Sequence, residues 1–277
     1  MKDARPGKKL SQGRLQKSVI ADANERKIAP ARAMRWVAAS AFFELLNLAE
    51  RRGAIDAYLI KGGFAVELRH PDVARTSEDI DLVLTGRADA ISLLETLLPA
   101  QWDSFSFGIK SKRPGDLAVR VDLQVQFNTV DWCTLKLDVL DADIREVELV
   151  DNIDISKYQL PRVTKVACLS RPQQMSEWIH CTTKLPQDGK RKNRARNIID
   201  IYVLAEFAPS EDRDVVSACE STFAREGTHD WPPLVRFPEE WSADIEARLL
   251  DLDIDISPES LIDYVIDYIG RIANATR

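Results

Sequence analysis

The stretch Leu59-Ile-Lys-Gly-Gly-Phe-Ala-Val-Glu-Leu-Arg69, followed by Arg75-Thr-Ser-Glu-Asp-Ile-Asp-Leu82, decides the fold. A short apolar run, Ala57 to Ile60, stops at Lys61-Gly62-Gly63, and helical spacing takes over from Phe64 to Arg69, closing near Pro71. The pattern is a strand, a glycine turn and a helix. Glycines at such a junction let the backbone approach a phosphate, while the helix N-terminus offers orphan N–H groups and a favourable dipole. A Gly-Gly turn alone is usually only a turn. In Thr76 to Leu84, however, Ile80, Leu82 and Leu84 alternate with Asp79, Asp81 and Val83, so both aspartates share one face of a strand. Carboxylates this close repel unless a cation neutralises them, and hard oxygen ligands select Mg²⁺ or Mn²⁺. Metal-assisted phosphoryl transfer needs such a pair plus a third acid from a neighbouring strand. Asp122 and Asp138, on the polar faces of later strands, both qualify.

Working outward, Met34, Val37, Ala38, Ala41, Phe42, Leu45 and Leu48 recur at helical spacing and predict a helix over Ala29 to Arg52. Ile91 to Leu98 reads as a second. Strict alternation predicts strands over Leu117 to Phe127 and Trp132 to Leu140, giving a mixed or antiparallel sheet flanked by helices. After Pro172 the chain turns helical: Gln173 to Lys184, Arg194 to Phe207, Asp212 to Arg225, Trp241 to Leu250 and Pro258 to Ile272. The expected class is α+β: an exposed basic arm (residues 1–28, arm-like to about Lys17), an α/β domain (29–160) and a mainly helical domain (161–277). No internal repeat is apparent.

With 277 residues, 45% apolar and 30% charged, the chain can bury a large core and is neither disordered nor fibrous. No apolar run approaches the roughly 20 residues that span a bilayer, and no secretory leader follows the basic N-terminus, so a cytoplasmic protein with no membrane partner is expected. Cys133, Cys168, Cys181 and Cys219 form no CxxC pair, which fits reduced thiols better than a zinc site or a disulfide framework. The net charge of −6 is uneven: Glu239 to Asp267 holds ten acids against Arg248, a net of −9, leaving +3 on the rest. Basic residues gather in Lys2 to Lys17 and Lys184 to Arg196. Such runs are usually solvated faces, but beside a cleft they suit a polyphosphate or a nucleic acid.

The quoted stretch resembles the KGG…R.S.D.D signature of the AbiEii/AbiGii-type nucleotidyltransferase toxins, members of the polymerase-β-like nucleotidyltransferase superfamily. The likeness runs from about Ala29 to Ile272. Leu137-Asp138-Val139 resembles the family's later aspartate strand, Glu177 to Cys181 its "EKLHA" helix, and Arg194-Ala-Arg-Asn-Ile-Ile-Asp200 its "RxxDlxD" helix. Thr222-Phe-Ala-Arg, His229-Asp-Trp-Pro-Pro and Glu240-Trp241 resemble its C-terminal segment. By resemblance, Lys61, Gly62 and Gly63 seat an incoming NTP, with Arg75 and Ser77 near it or shaping the turn. Asp79, Asp81 and Asp138 hold the metal and carry the catalysis, with Asp122 the alternative third acid. Asp200 positions substrate or supports the residues that bind it.

Two departures stand out. Trp178 occupies the place of the family lysine, a triphosphate ligand, and Asn197 that of an aspartate. Lys184, Lys190 or Lys192 would supply a replacement ammonium. His180 reads as structural, and His70 and His229 take no role. The expected activity is Mg²⁺-dependent transfer of NMP from an NTP to RNA, particularly a tRNA 3′ end, by the toxin of an abortive-infection pair with a cognate antitoxin. The alternatives are a nucleotide- or partner-binding relative with little catalysis, and transfer to a protein hydroxyl.

Overall fold

The computed structural model describes residues 10–115, 118–184, 193–207, 209–252 and 254–274. Within them the chain divides into two units, one drawn from Met1–Ile60, Glu78–Ile144 and Leu149–Ala167, the other from Lys61–Ser77, Arg145–Glu148 and Cys168–Arg277. Where the sequence suggested one boundary near residues 150 to 170, the two units interleave along the chain.

The elements run α1 (Gln12–Glu25), α2 (Pro30–Arg51), β1 (Ala57–Lys61), α3 (Gly62–Arg69), β2 (Asp79–Thr85), α4 (Ala90–Leu97), β3 (Gln101–Trp102), β4 (Phe105–Pro114), β5 (Val119–Phe127), β6 (Val130–Leu140), β7 (Val147–Val150), β8 (Val166–Leu169), α5 (Arg171–Thr183), α6 (Ala195–Phe207), α7 (Asp212–Glu226), α8 (Ser242–Leu252) and α9 (Pro258–Asn274). The strands form one sheet in the order β3-β4-β5-β6-β2-β1-β8-β7. β3 to β6 pair antiparallel, while β2 lies parallel to β6, so the sheet is mixed and the class is α+β.

In the first unit α2 starts at Pro30, whose fixed φ suits a first helical position, and is buried along most of its length. Phe42 packs on Phe107, and Phe105, Phe127 and Trp132 form an aromatic group beside it. A polar network pins α2 in place. Buried Glu44 accepts from the Thr164 N–H and hydroxyl, and Asn47 accepts from the Tyr58 hydroxyl at 2.7 Å. Buried polar atoms this well partnered fix one arrangement of the helix. The four cysteines are free, and burial pushes the thiols up, Cys181 to about 11 and the others to about 12.

The expected exposed arm is corrected here. Residues 12–25 form α1, which buries Leu15, Val19 and Ala23. One apolar residue per turn suffices to dock a helix, and the surrounding charge hid that stripe. Residues 1–9 lie outside the described residues. β4 was also unread, because its alternation breaks at a bulge between Ile109 and Ser111. Its extra residue, Lys110, moves Ser111 and Arg113 to the face opposite Phe105 and Phe107. Leu117 lies outside the described residues.

In the second unit α3 and the helices α5 to α9 share a core that includes Val66, Trp178, Ile198, Phe223, Trp241 and Val265. α5 is capped by Ser170, whose side chain accepts from the Gln173 N–H, and α7 ends at Gly227 in the left-handed region. Trp178 is only 7% exposed. Its indole belongs to this core, as is the commoner fate of a Trp on an amphipathic helix. Trp178→Lys should therefore lower stability by about 3–5 kcal/mol, from lost packing and a buried unpaired ammonium. A urea midpoint equal to that of the wild type would show that the indole is not part of the core.

Candidate active site

Two groups of residues that the sequence singled out are each assembled within one unit. In the first, the sheet register does the assembling. Asp81 of β2 lies opposite Asp138 of β6, and Asp79 lies opposite Lys136. Residues directly opposite share a face, so Asp79, Asp81 and Asp138 present their carboxylates together on the side away from α4. Across β5 the rows continue, Asp138 facing Arg120 and Lys136 facing Asp122. Asp122 is thus separated from Asp79 by a full strand, roughly 10 Å at two strand spacings. It also accepts from the Ser111 hydroxyl at 2.6 Å and pairs with Arg113 at 3.2 Å. The register places Asp138, not Asp122, beside the aspartate pair.

Asp79, Asp122 and Asp138 line a cleft of about 240 Å³ together with Glu78, Arg113, Arg120 and Lys136; Asp81 is not among its lining residues. Burial pushes the Asp138 carboxyl above its ordinary range, and the charge of Asp79 pushes it further in the same direction. Arg120, 3.7 Å away, pulls the other way. The donor set is oxygen only, the chemistry of a hard divalent cation. Among the described residues, no group of three or more His, Cys, Asp or Glu side chains stands close enough together to hold a metal ion.

In the second unit, the glycine turn is built by close approach. Gly62 has φ +69°, a conformation that side-chain-bearing residues rarely adopt. Gly63 is needed for another reason: a Cβ there would stand 2.6 Å from a terminal guanidinium nitrogen of Arg75 and 2.9 Å from the Ser77 hydroxyl oxygen. Arg75 cannot easily withdraw, because it is held by Asp200. Nε donates to Asp200 at 3.0 Å and Nη2 donates at 2.7 Å, a two-pronged pair with a fully buried carboxylate. Lys61 pairs with Glu177 at 2.8 Å. Lys61, Gly62, Gly63, Arg75, Ser77 and Asp200 are thereby brought together. Lys184 is not. It caps the C-terminal end of α5, about 15 Å along the axis from Gln174, and its charge acts on His180 and His229. His180 bonds Thr228 and stacks on His229, as a structural residue would. Lys190 and Lys192 lie outside the described residues.

Three supporting residues went unread in the sequence. Glu67, fully buried one turn after Gly63, accepts from the Ser77 N–H at 2.9 Å. Gln174 donates to the Gly62 carbonyl at 2.8 Å, and Glu177 holds Lys61. A lone acid inside the apolar run Phe64 to Leu68 was the available signal for Glu67.

The sequence profile described as "Nucleotidyl transferase AbiEii toxin, Type IV TA system" matches residues 45–266. The chain belongs to this family. Membership makes it a nucleotidyltransferase. Among solved structures, it is similar to MenT4, a nucleotidyltransferase toxin from Mycobacterium tuberculosis H37Rv, at 15% identity and a TM-score of 0.49, over 97% of this chain and 99% of that one. It is also similar to JHP933 from Helicobacter pylori, at 16% identity and a TM-score of 0.41, over 84% and 91% of the two chains. The antibiotic-resistance factor ANT(2'')-Ia matches at 15% identity and a TM-score of 0.38, over 68% and 92%. No curated protein matches in sequence. Among the described residues, no helix of this AbiEii-family chain is long and apolar enough to cross a membrane.

The carboxylate row makes a measurable demand. A carboxyl whose pKa is raised on folding loses stability as pH climbs through its ordinary range, because the folded state resists ionisation. Asp79→Asn removes one source of that resistance. The substitution should bring the Asp138 pKa down, seen by carboxyl-carbon NMR titration, and raise the melting temperature at neutral pH but not in acid. An unmoved Asp138 titration would show that the two carboxylates do not interact.

Proposed function

We propose that the chain is the toxin of a type IV toxin–antitoxin pair and transfers a nucleoside monophosphate from an NTP to an RNA hydroxyl, a tRNA 3′ end being the preferred acceptor. One observation carries the metal-dependent part: three oxygen-only side chains, Asp79, Asp81 and Asp138, share a face. Such a row suits a Mg²⁺ or Mn²⁺ ion. When bound, the ion would supply a positive charge against which the phosphoryl group and the leaving group are stabilised. The family's toxin–antitoxin membership supports a cognate antitoxin as partner. The basic segments Lys2 to Lys17 and Lys184 to Arg196 support an RNA acceptor.

The residues divide the work. The Gly62–Gly63 turn and the N-terminus of α3 seat the triphosphate, Arg75 and Ser77 lie against that turn, and Glu67 and Asp200 hold those two in place. The acceptor oxygen bonds to the α-phosphorus, the bridging P–O bond to the β-phosphorus breaks, and pyrophosphate departs with the electron pair. The carboxylate of Asp138, in line with Asp81, accepts the hydroxyl proton.

Incubation with each α-labelled NTP, Mg²⁺ and either total RNA or a protein extract tests this reading. Label should move to RNA. Label on protein would replace the acceptor, and label on neither would mark a binding protein with little catalysis. Asp79→Ala and Asp81→Ala should each lower transfer by at least about a thousandfold without lowering the melting temperature, since removing one of several repelling charges costs the fold little. Wild-type rates in either variant would remove the carboxylates from the mechanism.

A further inference from the structure

In the first unit the row that holds the carboxylates ends in two arginines. Arg113 of β4 lies opposite Arg120 of β5, Arg120 lies opposite Asp138 of β6, and Asp138 lies opposite Asp81 of β2. Directly opposed residues share a face, so both guanidinium groups stand on the face of the acids, about 5 and 10 Å from Asp138 at one and two strand spacings. Arg113, Arg120 and Asp138 line the same cleft. Like charges in directly opposed positions of a sheet repel, and the nearby acids relieve this only in part. Arg113 donates from Nη2 to Asp122 at 3.2 Å, which leaves its Nε and Nη1 without an acceptor among the described residues. Arg120 comes within 3.7 Å of Asp138 and makes no hydrogen bond among the described residues. With side chains 67% and 68% exposed, both arginines present their remaining donors to solvent. An oxyanion seated between them meets both charges.

The strand order distinguishes one anion from another. β4 and β5 lie on one side of the aspartate strands β2 and β6, while β1, which the glycine turn follows in the chain, lies on the other. The arginines therefore flank the acids on the side away from β1, where an acceptor rather than a triphosphate is expected. An RNA strand must bring its hydroxyl up to three acids that repel its phosphates, and cations one and two strands beyond those acids offset that repulsion. A protein hydroxyl brings no phosphate and has no use for two opposed guanidinium groups. We propose that Arg113 and Arg120 bind the phosphodiester backbone of the RNA acceptor and so position its terminal hydroxyl at Asp138. The assignment rests on the reading of the chain as an RNA-directed transferase. Guanidinium forks match phosphate oxygens in pairs, which gives direction as well as charge.

Anisotropy titration of labelled bulk tRNA over a range of salt tests the site without NTP or catalysis. The wild-type protein should bind, with affinity falling as salt rises. Arg113→Gln and Arg120→Gln should each weaken binding about tenfold, the worth of one charged hydrogen bond, and reduce the slope of log K against log salt by about one. Lys112→Gln is the control, for it removes the same charge from the neighbouring residue, which pairs with Glu95 of α4 on the other face. It should bind as the wild type does. Arg120→Gln also takes a neighbour from Asp138, so Arg113→Gln, which faces no catalytic acid, carries the kinetic comparison: KM for RNA should rise and KM for NTP should not. Wild-type affinity and slope in the double variant, an equal loss in Lys112→Gln, or no binding by the wild-type protein overturns the proposal. The label-transfer experiment reports separately: binding lost in the variants but no transfer by the wild type keeps this site and removes the transferase reading. Transfer to RNA at an unchanged KM for RNA in both variants does the reverse.

Discussion

Parallel pairing of β2 with β6 is the constraint on which the first unit rests. It joins the antiparallel strands β3 to β6 to the β1-β8-β7 half of the sheet, and it sets which side chains meet. Strand faces alternate with a period of two, so a slip of one residue would bury Asp79 and Asp81 and expose Ile80 and Leu82. The apolar demand of Ile80, Leu82 and Leu84, all nearly fully buried, therefore holds the carboxylates in register. Hydrophobic burial pins a charge arrangement that its own electrostatics oppose.

The second unit solves the opposite problem. Its charges attract, and their difficulty is desolvation. Asp200 is taken out of water altogether, a change that is tolerable because Arg75 meets it with paired hydrogen bonds. The same contact fixes Arg75 so firmly against Gly63 that no side chain fits there. A glycine, an arginine and an aspartate distant in sequence thus form one mechanical piece. Glu67 and Gln174 lock its two ends, at the Ser77 N–H and the Gly62 carbonyl.

Much of this was legible because strong periodicity and local chemistry coincide. The strand–turn–helix at Ala57 to Arg69, the alternating β2, β5 and β6 and the amphipathic α5 to α9 each carry their pattern within one segment. What stayed hidden depends on partners far along the chain. Asp138 could not be separated from Asp122 by alternation, since both face the polar side; only the strand order distinguishes them. Glu67 and Gln174 act through contacts that no spacing encodes. α1 was masked by its charge, and β7 and β8 are four residues each, too short for periodicity to register.

The bulge in β4 has a consequence for insertions and deletions. Because Lys110 is supernumerary, Arg113 shares a row with Arg120, Asp138 and Asp81, while Lys112 turns to the other face and pairs with Glu95 of α4. The spare residue absorbs a deletion: loss of Lys110 would straighten the strand with every pair from Ser111–Asp122 to Pro114–Val119 intact, so Arg113 would stay in line with the acids. The row changes only if the bulge itself is lost and Lys110 pairs with Asp122, for Lys112 would then stand opposite Arg120 in the place of Arg113. Homologues one residue shorter at this point would carry the same charge pattern on a straighter strand.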